Sequence, residues 1–90
     1  PRRAQERGIQ GYSIVAFTIT ETGTVEDVVP LEGFCGDPTD PATEYRKCSI
    51  FNSAASRAAL KLKYKPKIVD GNAVKVYDVP HKFTFILEDL

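Results

Sequence analysis

The chain has 90 residues, is 42% hydrophobic, and carries 12 basic and 12 acidic residues, for a formal net charge of zero. This length suits one small domain, residues 1–90. The balanced charge argues against a dedicated nucleic-acid-binding domain, which is usually strongly basic. No apolar run approaches the roughly 20 residues that a membrane-spanning helix needs. Because the chain starts at Pro1 and contains no methionine, we expect a fragment of a longer protein.

The first part of the sequence predicts a β-hairpin. Residues 11–20, GYSIVAFTIT, are rich in β-branched and aromatic side chains and are partly apolar on both faces, which is typical of a central strand. The turn sequence ETGT follows, and its Gly23 can supply a positive φ. Residues 25–33 form the return strand. Pro30 cannot donate a ladder hydrogen bond, so we expect this strand to lie at an edge or to carry a bulge.

The second part predicts one helix and a final strand. Apolar side chains recur at helical spacing in residues 49–64: Phe51, Ala54, Ala55, Ala58 and Leu62. Pro66 must end the helix at or before Lys65. Residues 73–90 are extended and β-rich, and alternate side chains share one face: Val79, His81, Phe83, Phe85 and Leu87.

Together these elements predict an α+β fold. A short helical arm, residues 1–10, precedes the hairpin, the helix and the final strand. The helix then covers one face of a three-stranded antiparallel sheet.

The two cysteines bound a polar loop, residues 35–48, and two interpretations stay open. Cys35 and Cys48 are either free thiols or one disulfide. A zinc site does not fit, because it needs four ligands and the chain has a single histidine. A disulfide would stabilise a loop of this size by about 3 kcal/mol in the chain-entropy model, and it would indicate an oxidising compartment.

Four lysines alternate with apolar residues in KLKYKPK: Lys61, Lys63, Lys65 and Lys67. A nucleic-acid or acidic partner is one interpretation. The simpler one is a solvated face, since cations near a helix C-terminus are favoured by the macrodipole. We adopt the second.

Nothing in the sequence indicates catalysis. His81 is the only histidine and lies on the apolar face of the last strand, where a structural role is expected. No phosphate-binding glycine loop, nucleophile elbow or Cys-x-x-Cys motif is present. We therefore predict a non-enzymatic domain without metal or cofactor. An exposed sheet edge would instead suit the binding of an extended peptide or of a second copy of the chain.

The order and spacing of several short motifs give a resemblance that covers nearly the whole chain. RAQERGIQGYSIVAFTITETGTVEDV, FNSAASRAALKLKYKP, DGNAV and VPHKFTFIL together resemble the C-terminal domain of the TonB family. The sequence departs from that family at Leu62, where a tryptophan is usual, and in its longer cysteine loop. Five residues match the structural signature of that family: Gly11, Gly23, Tyr64, Pro66 and Gly71.

The resemblance implies a periplasmic domain of a protein anchored in the inner membrane of a Gram-negative bacterium. Its partners would be an outer-membrane TonB-dependent transporter and, through the rest of the parent protein, ExbB and ExbD. Proton-motive force would drive uptake of siderophores, haem, vitamin B12 or similar cargo. Arg3 and Gln5 match arm residues that contact the transporter. The edge strand that receives the transporter's TonB box would consist of His81, Lys82, Phe83, Thr84, Phe85, Ile86 and Leu87.

A second hypothesis is a TonB-like interaction or dimerisation module on a different periplasmic parent. In that case the final strand could exchange between two copies to form a homodimer.

Overall fold

A computed structural model describes residues 2–87 of the chain. Two helices and six strands follow one another: α1 (Arg2–Arg7), β1 (Gly11–Ile19), β2 (Val25–Cys35), β3 (Arg46–Lys47), α2 (Asn52–Ala59), β4 (Lys67–Val69), β5 (Asn72–Val74) and β6 (Val76–Phe85). The predicted α+β class and the order of arm, hairpin, helix and final strand are confirmed.

The main sheet is antiparallel and has four strands in the order β3-β2-β1-β6. The sequence predicted three strands, and the additional one is β3, a pair of residues next to the end of β2. Strands β4 and β5 form a separate two-stranded ribbon. Its tight turn is Asp70–Gly71, both at positive φ (50° and 79°), a pairing that two-residue hairpin loops favour.

The core lies between β1 and α2. One face of β1 buries Val15, Phe17 and Ile19 against Ala55 and Ala59 of the helix. Alanine has a short side chain, so the helix axis can approach the sheet closely while the large β1 side chains fill the space. The opposite face of the sheet has no helix over it among the described residues.

A second buried cluster ties the arm to the sheet. It consists of Ala4 from α1, Cys35 at the end of β2, and Phe51 just before α2. The Ile9 N–H donates to the Ala4 carbonyl over 2.8 Å, which folds the end of the arm back on itself. The arm is therefore packed on the domain by an alanine, while its charged residues remain exposed.

Helix α2 is shorter than the sequence predicted. It ends at Ala59, followed by tighter turns in which Lys61 N and Leu62 N bond carbonyls three residues back. The chain leaves the helix early because the Tyr64 N–H docks on the Gly23 carbonyl over 2.9 Å. Lys61 and Lys63, which the sequence placed at the C-terminus of the helix, therefore both lie beyond α2. All four lysines are exposed: Lys61, Lys63, Lys65 and Lys67.

Irregularities in β2 and β6 follow the expected rules for proline and for bulges. Pro30 faces Val15, and a register shift follows it on β2. A further register shift occurs next to Phe17 in both pairings of β1, the one with β2 and the one with β6. At these shifts Asp27 of β2 and Asp78 of β6 adopt positive φ of 55° and 54°. Aspartate tolerates this conformation better than most residues. The predicted bulge in the return strand is therefore present.

The cysteine loop is closed by a disulfide between Cys35 and Cys48, whose Cα atoms are 5.7 Å apart. The bond brings the end of the loop beside β2, where Cys48 N donates to the Gly33 carbonyl and the β3 residues pair with the end of β2. Of the two interpretations left open by the sequence, the structure contains the disulfide.

Asp37 begins a hydrogen-bonded turn inside this loop. Its Oδ1 accepts the hydroxyl of Thr39 over 2.6 Å and the Thr39 N–H over 2.9 Å, and these bonds hold the pKa of the Asp37 carboxyl below its ordinary value. A depressed folded-state pKa means that the turn is favoured at neutral pH and is lost as the pH falls through that pKa. We expect the Thr39 amide resonance to titrate with a midpoint below the ordinary pKa of an aspartate carboxyl. In Asp37→Asn this titration should vanish; an ordinary midpoint in the wild type would contradict the turn.

Candidate functional site

The site is built around the free edge of β6. Among residues 2–87, no strand pairs with the outer side of β6, so it forms one border of the main sheet. The register with β1 is continuous from the pair Ala16–Pro80 to the pair Gly11–Phe85. The resulting edge is regular and can accept another extended chain.

The register also shows which backbone groups face outward. Opposite residues in an antiparallel pair alternate between pairs that exchange both backbone hydrogen bonds and pairs that exchange none. Because Pro80 has no N–H, we assign its pair with Ala16 to the pairs that exchange no hydrogen bonds. Counting along the unbroken register, Phe83 and Phe85 bond to β1, while Lys82 and Thr84 turn both N–H and C=O to the free edge.

The other border of the sheet is less suited to pairing. Strand β3 covers only Phe34 and Cys35 of β2. The remainder of β2 is interrupted by two register shifts, by Pro30, and by Asp27 at positive φ. Proline, bulges and charges are the usual means of protecting an edge. The two borders are therefore unequal: β6 has Pro80 and a register shift near its start, but its stretch from His81 to Phe85 has neither.

The helix-facing side chains of β6 are fixed by the core. The Phe85 ring stacks on Phe51, with centroids 4.6 Å apart and planes 13° from parallel. Phe83 and the His81 ring are 4.5 Å apart, and the His81 Nδ1 lies 3.5 Å from the Tyr64 hydroxyl oxygen. These contacts give His81 the structural position that the sequence indicated, and they pack the edge strand against the core.

The side chains on the helix-free face form an aromatic cluster. The Lys82 ammonium lies 4.2 Å from the centroid of the Tyr12 ring. Tyr12 also contacts Phe34, at 5.2 Å, and Tyr45 of the cysteine loop, at 5.0 Å. The Lys82 side chain therefore leans inward across the sheet, which leaves its backbone groups at the edge uncovered.

A groove lies where the arm meets the end of β6, and we call it the arm groove. Its volume is about 270 Å³, and its lining comes from α1, α2, β6 and the residues next to them: Ala4, Gln5, Ile9, Phe51, Ala54, Thr84, Phe85, Ile86 and Leu87. The Leu87 N–H donates to the Gln10 side-chain oxygen over 2.8 Å, which fixes the end of the strand against the arm. Ile86 is half exposed at the rim (50%).

The sequence-predicted partner residues lie in two neighbouring places. His81 to Phe85 belong to β6, and Ile86 and Leu87 follow it directly. Arg3 and Gln5 are exposed on α1, and Gln5 shares the arm groove with the end of β6. The structure thus brings Gln5 and the final strand together. The groove itself was not predicted, because its residues are scattered through the sequence.

The signature residues lie at turns and close contacts that support the fold. A side chain at Gly11 would meet the Phe34 carbonyl and the Phe51 ring, and one at Gly23 would meet the Tyr64 carbonyl. Pro66 lies beside that same turn, while Tyr64 packs 6.0 Å from the Phe17 ring. Gly71 forms the ribbon turn, with open space around it.

Other kinds of site find little support in the described part of the chain. No three or more His, Cys, Asp or Glu side chains converge there as metal ligands. Neither α1 nor α2 has the length and apolar character to cross a membrane.

The fold defines a small α+β domain whose antiparallel sheet ends in a free strand. A family model described as Gram-negative bacterial TonB protein C-terminal matches residues 1–33, which include the arm and β1. The curated Protein TonB of Pseudomonas aeruginosa is 31% identical over 74 residues, 82% of this chain and 18% of that protein. The chain belongs to the TonB family, as a TonB C-terminal domain. It spans less than a fifth of the relative's length.

Proposed function

We propose that this domain is the periplasmic, transporter-binding end of an energy-transducing adaptor. It binds the TonB box of an outer-membrane TonB-dependent transporter as an added strand on β6. The rest of the parent protein spans the inner membrane and connects the domain to ExbB and ExbD. The domain performs no chemistry, and the cargo, such as a siderophore, haem or vitamin B12, is handled by the transporter.

The observation that carries this proposal is the regular free edge of β6 from His81 to Phe85, with the N–H and C=O of Lys82 and Thr84 directed outward. An added strand can exchange four backbone hydrogen bonds with these two residues. Backbone bonding supplies affinity without requiring a particular sequence. Family membership supports the transporter as the source of the strand, and the disulfide supports an oxidising compartment.

The experiment is an NMR titration of the labelled domain with a synthetic TonB-box segment from a transporter of the same organism. We expect chemical-shift changes concentrated on His81–Leu87. Unchanged spectra at millimolar peptide would contradict transporter binding.

The variant Thr84→Pro removes one outward N–H and leaves the bonds to β1 in place, as Pro80 already does. We expect it to weaken peptide binding at least about tenfold, because the added strand loses a partner and meets the proline ring. Thr84→Val is the matched control, since it keeps the backbone donor and a similar shape. Equal affinity for the two variants would contradict strand addition at this edge.

The alternative, a dimerisation module, uses the same free edge with a second copy of the chain as the added strand. It predicts that the β6 resonances change with protein concentration in the absence of peptide. Sedimentation across a hundredfold concentration range distinguishes the two functions.

A further inference from the structure

The arm groove is the cavity in which the arm and the edge strand meet. Its volume of about 270 Å³ lies just below the range of about 300–1,000 Å³ that is typical of small-molecule sites. It is large enough for a single bulky side chain. None of the nine described residues that line it carries a charge, so the groove suits an apolar side chain rather than an ionic one.

We propose that the arm groove holds one bulky apolar side chain of the same extended segment that adds to β6. This inference rests on the proposed function. The groove thereby distinguishes segments that would pair equally well through their backbones. The preferred partner is an extended segment with a bulky apolar side chain, the anchor, at one defined position.

Continuity between the edge and the groove identifies this occupant. Thr84 and Phe85 belong both to β6 and to the groove wall. A strand paired to β6 directs alternate side chains to the helix side of the sheet. A side chain near Phe85 on that side faces the groove, whose lining includes Ala54 and Ile9.

The polar groups at the groove fit the same occupant. Gln5 is exposed beside the groove, and its side-chain amide can bond the backbone of an extended segment beside the anchor. Strand β6 ends at Phe85, which lines the groove, so the ladder ends there. The anchor position would therefore lie at the end of the added strand nearest the arm.

The test uses the synthetic TonB-box segment and a series of copies in which each apolar residue in turn is replaced by alanine. Affinities are measured by calorimetry or NMR on the 90-residue domain. We expect one position to dominate, with a loss of about tenfold or more, as expected when a buried aliphatic side chain is truncated. An even, small loss at all positions would overturn the proposal while leaving strand addition intact.

A second comparison tests whether the anchor side chain binds in the arm groove. Ala54→Leu fills the groove, and Ser53→Leu adds the same bulk at the exposed neighbouring position. We expect Ala54→Leu to remove the difference between the original segment and its anchor-to-alanine copy, while Ser53→Leu preserves it. If Ala54→Leu weakens both segments equally or neither, the groove is not the anchor site. If no segment shifts the β6 resonances in the wild type, the proposed function itself fails.

Discussion

Replacing Gly23 by alanine is expected to lower the free energy of unfolding by about 3 kcal/mol. The residue has φ of 85°, a conformation that costs an L-residue about 1–2 kcal/mol. A Cβ there would also collide with the Tyr64 carbonyl, so the hydrogen bond between Tyr64 N and the Gly23 carbonyl must be distorted or lost. The two costs act at one contact, between the hairpin turn and the segment that leaves α2.

The matched control is Gly71→Ala. Gly71 has a similar φ of 79°, but nothing lies within 4 Å of the position its Cβ would occupy. We expect this variant to lose only the conformational term, about 1–2 kcal/mol. Urea unfolding of both variants and the wild type measures the difference. Equal losses would show that the Gly23–Tyr64 contact contributes nothing to stability.

Removing the disulfide is expected to have the second large effect. The double variant Cys35→Ala, Cys48→Ala should lose about 3 kcal/mol, since the bond closes a loop with a sequence separation of 13. Alanine is chosen because Cys35 is buried beside Ala4 and Phe51, where a serine hydroxyl would add its own desolvation penalty. Unfolding of the wild type with and without a thiol reductant provides the parallel measurement.

This loss should affect stability without changing the site. Strand β3 lies at the opposite border of the sheet from β6, although Cys35 shares a buried cluster with Ala4 and Phe51 of the arm groove. Because alanine keeps that position apolar, we expect the folded double variant to bind the TonB-box segment within about twofold of the wild type. A loss below 1 kcal/mol would contradict the stabilising role of the disulfide. A large loss of affinity in the folded variant would show that the two borders are coupled.

The sheet and the hairpin were predictable because local chemistry determines them. The alternation of Gly11–Ile19 and the glycine turn at Gly23 correspond directly to a central strand and its hairpin. Pro30 correctly indicated an irregular return strand. The features of the final strand that matter most also follow from local rules, since alternation alone separates the core-facing Phe83 and Phe85 from their neighbours.

The features that were missed depend on contacts between distant residues. Helical spacing continues to Leu62, but α2 ends at Ala59 because the chain must reach the Gly23 turn. Strand β3 has no apolar pattern and pairs where the disulfide holds its end. The arm groove joins residues from three elements, and no segment of the sequence carries a signal for it.

The most direct test of the account is amide hydrogen exchange along β6, with and without the TonB-box segment. In the free domain, we expect Lys82 and Thr84 to exchange quickly and Phe83 and Phe85 to exchange slowly. Bound segment should slow Lys82 and Thr84 selectively, because their N–H groups are the ones that face the edge. Slowing confined to another surface, or the same fast exchange at Lys82 and Thr84 in a domain saturated with the segment, would contradict strand addition to β6.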